Sequence, residues 1–116
     1  MEESVIELNY MIQDAAEVGD MEKITVLLNK GALAGYGLEG AASTGNIDLM
    51  IFFLEKGADP TRGFFGAFKC GEVEAMKLLI EKGADVDHVL STYGSLVAPF
   101  LRKDLKQQGI TWQSKK

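Results

Sequence analysis

The tripeptide Lys-Gly-Ala occurs three times, at Lys30–Ala32, Lys56–Ala58 and Lys82–Ala84, each 26 residues after the last. A further step of 26 lands on Gly109. Gly19, Gly45 and Gly71 form a second series of the same period; each precedes a polar residue (Asp20, Asn46, Glu72) and then an apolar one (Met21, Ile47, Val73). Gly37 pairs with Gly63 and Gly40 with Gly66, so eleven of the thirteen glycines stand in register, all but Gly35 and Gly94. A period between roughly 20 and 50 residues marks stacked structural units, each unable to bury its apolar face alone. With only two prolines beside them, the glycines do not describe a flexible linker.

Each unit reads as two helices. After the turn glycine runs an amphipathic stretch: Met21, Ile24, Leu27 and Leu28, then Ile47, Leu49, Met50, Phe53 and Leu54, then Val73, Ala75, Met76, Leu79 and Ile80. This is the spacing of one helix face. Asp20, Asn46 and Glu72 sit where a side chain caps the helix start. Lys30, Lys56 and Lys82 fall in the last turn, with the following glycine as the left-handed residue beyond it. The preceding helix is rich in small residues, Ala15-Ala16, Ala41-Ala42 and Ala67-Phe68 at one phase. Gly40 and Gly66 lie within it and are read as close-packing positions, since glycine costs about 1 kcal/mol there relative to alanine. The first helix is expected from about Ser4 to Val18. In the last unit Val97 replaces the turn glycine, and Pro99 is expected at the first position of the final helix. The expected fold is all-α, a helical-repeat solenoid of about four helix-turn-helix units with atypical caps. One domain spans 1–116, with units at about 4–34, 35–60, 61–86 and 87–112 and a tail at 113–116.

The strings Gly45-Asn46-Ile47-Asp48-Leu49-Met50-Ile51-Phe52-Phe53-Leu54-Glu55-Lys56-Gly57-Ala58-Asp59 and Gly71-Glu72-Val73-Glu74-Ala75-Met76-Lys77-Leu78-Leu79-Ile80-Glu81-Lys82-Gly83-Ala84-Asp85 resemble the second half of an ankyrin repeat. Ala41-Ala42 matches that family's first helix. The resemblance covers about residues 10 to 90. The period is 26 instead of the family's roughly 33. The missing residues fall where the family places its β-hairpin, and its Thr-Pro-Leu-His box is absent. Short units of this kind look like those of ankyrin proteins from large DNA viruses. The resemblance implies a non-catalytic module that binds another protein on a concave face and sequesters or inhibits it, a host or defence protein being one possibility. Carried over by position, the partner-binding residues are Glu17, Val18, Ser43, Thr44, Lys69 and Cys70 at the ends of the first helices. Tyr36, Glu39, Arg62 and Phe65 join them from the helix starts. Ile51 and Phe52, at phases usually exposed, form a candidate self-association patch. Phe64 and Phe68 read as core.

Composition narrows the function classes. The net charge of −5 and the lack of a basic cluster before the last fifteen residues argue against direct nucleic-acid binding. One cysteine and one histidine leave no metal site at ligand spacing, no disulfide framework and no expected cofactor. Cys70 and His88 read as an ordinary free thiol and a loop or helix-start histidine. Gly35-x-Gly37-x-x-Gly40 has the form of a dinucleotide fingerprint, but no strand precedes it and its phase recurs, so it is a repeat feature. No catalytic residue is expected. The longest apolar run, 49–54, is far short of the roughly 20 residues that span a bilayer. Met1-Glu2-Glu3-Ser4 has no basic n-region or long apolar stretch, so no signal peptide is expected. A soluble cytoplasmic protein is expected, in the host cytoplasm if viral, either a monomer or a weak homo-oligomer. Residues 1–22 carry seven acids and no base, whereas 102–116 carry five bases and one acid. That polarity leaves two alternatives to simple capture: a structural, oligomerising subunit, or an acidic mimic that blocks a nucleic-acid-binding groove.

Overall fold

The structure is a computed structural model and describes residues 4–114. Glu2, Glu3, Lys115 and Lys116, part of the charged ends read from the sequence, lie outside the described residues. Among the described residues the fold is all-helical: α1 (Val5–Val18), α2 (Met21–Asn29), α3 (Ala34–Ser43), α4 (Ile47–Glu55), α5 (Pro60–Cys70), α6 (Val73–Glu81), α7 (Val86–Ser91) and α8 (Ala98–Gln107). None of these helices is long and apolar enough to cross a membrane.

Local chemistry sets the helix ends. Ser4 and Glu7 form a reciprocal cap at α1, with the Glu7 N–H donating to Ser4 Oγ and the hydroxyl donating to the Glu7 carboxylate. Asp20, Asn46 and Asp85 accept the N–H of Lys23, Leu49 and His88. Glu72 departs from the expected series, because its side chain makes no cap bond. Its longer carboxylate lies against Gly45 instead, where a Cβ would collide with it. At the other ends Gly31, Gly57 and Gly83 take φ of 109°, 92° and 102°. The next amides, Ala32, Ala58 and Ala84, then bond back to the carbonyls of Leu27, Phe53 and Leu79 at 3.0, 3.1 and 2.9 Å. Gly109 repeats the motif after α8, with Ile110 N–H on the Leu105 carbonyl at 3.0 Å. The start of α8 differs: Val97 precedes it without a side-chain cap, and Pro99 takes its second position, one later than expected.

The odd-numbered helices α1, α3 and α5 lie side by side, and α2, α4 and α6 each pack on their own predecessor. Connections of four residues at 30–33, 56–59 and 82–85 leave no room for a hairpin. The body measures 47 × 26 × 23 Å, so the stack is elongated along the order of the chain. One apolar set recurs through it: Ile12, Leu38, Phe64 and Leu90 are spaced by 26 and all buried, as are Ile24, Met50 and Met76, and Leu27, Phe53 and Leu79.

Gly40 and Gly66 are the joints of this stack. A Cβ on Gly40 would meet the Gln13 carbonyl oxygen of α1, and one on Gly66 the Glu39 carbonyl oxygen of α3. The two contacts are the same contact one unit apart. Backbones of adjacent first helices touch there, as helices do wherever small residues face one another. The corresponding residue is Asp14 in the first unit and Thr92 in the last. Gly37 gives up its side-chain volume to the Phe53 ring, which fills the space a Cβ would need.

The last pair is held differently. α7 is only six residues long. Asp87 on it accepts hydrogen bonds from Arg102 Nη2 of α8 and Trp112 Nε1 of the tail, both at 3.2 Å. A hydrogen bond from Ser114 holds its carboxyl below the ordinary value. Partial burial pushes the other way, and the Trp112 and Arg102 contacts add to the lowering.

Candidate binding face on the first helices

Positions that pack are similar in every unit; positions on the outer side of the first helices are not. Tyr10, Tyr36, Arg62 and His88 share one phase, Gln13, Glu39 and Phe65 the next, and Glu17, Ser43 and Lys69 a third. A scaffold that repeats beneath side chains that do not is a means of presenting a specific surface.

The central part of this face is a linked cluster. The Arg62 guanidinium lies 4.3 Å from the centre of the Tyr36 ring. Its Nη1 donates to Glu39 Oε1 at 3.1 Å, and Lys69 Nζ lies 3.7 Å from Glu39 Oε2. Glu39 is the enclosed member, its side chain 14% exposed against 43% for Arg62 and 55% for Lys69. Ion pairs this exposed contribute roughly 0–1 kcal/mol, so the cluster's main effect is to fix where the guanidinium stands.

Gly35 leaves room for the arginine stem. A Cβ there would sit 3.0 Å from Arg62 Cδ. The same position is Asn9 in the first unit and Thr61 in the third. Their side chains accept the connection amides of Leu33 and Asp85 at 2.8 and 2.9 Å. The second unit forgoes that internal tie and gives the space to the arginine stem. This role was missed in the sequence, although Gly35 stood out of register.

Beside the cluster runs an open cleft of about 630 Å³, lined by Glu39, Asp59, Thr61, Arg62, Phe65, Asp85 and His88. It offers a charged pair, two cap carboxylates and the half-buried Phe65 ring, a mixture suited to side chains of a peptide segment. Among the described residues no group of three or more His, Cys, Asp or Glu is placed to hold a metal ion.

The remaining candidates are scattered. Glu17 and Val18 are exposed at the end of α1. Ser43 and Thr44 turn their hydroxyls back onto their own helix, donating to the carbonyls of Gly40 and Ala41 at 2.7 and 3.1 Å. Cys70 is an exposed free thiol closing α5. Phe64 is buried, and Phe68 stacks on it with ring centres 6.1 Å apart. Ile51 and Phe52 lie on α4, outside the cluster; Ile51 is 39% exposed. Phe52 is half-buried, edge-on to Phe53 at 5.3 Å and under the Lys56 ammonium at 5.4 Å. A small pocket of about 260 Å³ opens beside it, lined by Gly19, Met21, Asn46, Asp48, Leu49 and Phe52.

No known protein family, curated protein or solved structure matches this chain.

Proposed function

We propose that this chain is a non-catalytic protein-binding module, an ankyrin-like solenoid of four short units that captures a protein partner on its first-helix face and so sequesters or blocks it. The observation that carries this reading is the Tyr36–Arg62–Glu39–Lys69 cluster. A guanidinium stands over an aromatic ring and is tethered at one edge, beside a cleft that a half-buried phenylalanine also lines, on a scaffold otherwise built of repeats. Aromatic and arginine side chains held rigid before contact are the usual anchors of protein interfaces, because little side-chain entropy remains to be lost on binding.

The test compares the wild-type chain with Tyr36→Ala/Arg62→Ala as bait, with retained proteins quantified by mass spectrometry. The reading expects a partner retained by the wild type and lost by the variant, while far-UV circular dichroism and thermal midpoint stay unchanged. Equal retention by both chains, or none by either, overturns it.

A further inference from the structure

We infer that the basic outer stripe of α8 is a docking surface for the acidic outer stripe of α1 in a second copy of this chain, giving a head-to-tail, salt-sensitive assembly. Contacts run in the order α1, α3, α5, α7, α8 along a body 47 Å long, which places the two stripes at opposite ends. On α1, Glu7, Tyr10, Asp14 and Glu17 follow the spacing of one helix face and are all exposed. Described residues 4–22 hold five acids and no base, and none of these acids is paired with a cation among the described residues. On α8, Pro99, Arg102, Lys103, Lys106 and Gln107 share the opposing spacing and line a shallow groove of about 430 Å³. Asp87 occupies one edge of Arg102, whereas Lys103 and Lys106 are exposed, the Lys106 ammonium standing 6.0 Å from the centre of the Trp112 ring.

Two further facts favour a second copy as the occupant. Exposed apolar side chains gather at the same two ends: Ile6 and Val18 beside the acidic stripe, Leu96 (86% exposed) and Phe100 (75%) beside the basic one. Charge attraction thus has apolar area to bury with it. Charges at opposite ends of a body 47 Å long are screened from each other, since the screening length is only about 8 Å at physiological salt. Between molecules the stripes are complementary. Asp14 stands where the inner units carry the seating glycine, so α1 cannot take another helix backbone-to-backbone. The contact runs through side chains and joins unlike surfaces, which permits open chains.

Sedimentation velocity over a concentration series reads this out. The expected result is a mass that grows with concentration at low salt and falls to the monomer when salt is raised from about 0.01 to about 1 M, shrinking the screening length from roughly 30 to 3 Å. Asp14→Lys/Glu17→Lys and Lys103→Glu/Lys106→Glu should each raise the dissociation constant about tenfold or more. An equimolar mixture of the two variants should associate again, because every junction in it joins unlike charges. Circular dichroism verifies that both variants fold, and all the substituted residues are exposed. A monomer at every concentration in low salt overturns the inference, including the case in which these ends bind only other proteins. So does association indifferent to either reversal, or a mixture that stays dissociated. Capture of another protein through Tyr36 and Arg62 is unaffected by any of these outcomes.

Discussion

Gly40 and Gly66 show what a missing methyl group does in this chain. Each lets a neighbouring carbonyl oxygen occupy the place of a Cβ, so the first helices meet backbone to backbone. Gly40→Ala must push α1 from α3, and overpacking of that kind costs about 1–3 kcal/mol. Urea denaturation measures it; an unshifted midpoint would show that the helices are not seated on this residue. Gly35 has a different office. Filling it with a larger side chain displaces the Arg62 stem, so Gly35→Val is expected to weaken partner capture more than stability, comparing retention with thermal midpoint. Arg62→Lys should likewise lose capture at unchanged stability, because a single ammonium lacks the planar fork that stands over Tyr36 while donating to Glu39. The period exposed Gly40 and Gly66 as a series, and their contacts lie one unit back, within reach of repeat reasoning. Gly35 was not legible, since its partner is a side chain 27 residues later that no local pattern links to it.

Among the elements, the weakest join is at α7 and α8. Six residues of α7 cannot hold a helix by their own hydrogen bonds, and Asp87 takes up the task by tying Arg102, Trp112 and Ser114 together. Because the folded carboxyl has its pKa lowered from 3.8, its contribution is fully present above that value. It is lost as pH falls through the lower folded value. Trp112 is the only tryptophan, so its emission reports the tail directly. Acidification is expected to shift that emission to the red before helicity falls. Asp87→Asn should remove this early step and cost roughly 1 kcal/mol at neutral pH. Coincident emission and circular dichroism transitions in the wild type would refute the ordering. Helix existence was readable from apolar spacing, and α1 begins and ends where Ser4 and Gly19 indicate. What escaped was the clamp, which joins residues 87, 102, 112 and 114 across a region where the period has broken down. The capping failure of Glu72 escaped for a similar reason, as only the packed structure offers its carboxylate another place.

Across the whole molecule α3 lies between α1 and α5, and α5 between α3 and α7, whereas α1 has a helix of this row on a single side. Amide hydrogen exchange should follow that row, slowest in α3 and α5 and faster toward α1 and toward α7 and α8. Uniform protection would mean that the chain opens only as one body. The all-helical content could be read from the sequence because it follows from period and apolar phase. The partner could not, since its identity resides in the residues that do not repeat. Asp14, Gly40, Gly66 and Thr92 occupy one phase, and only the inner two are bare. A unit added before α1 would press its backbone onto the Asp14 carboxylate. A second copy of residues 37–62 inserted in tandem presents glycine at every new joint. The chain can thus be lengthened from its middle, whereas α1 does not accept a further helix seated backbone to backbone.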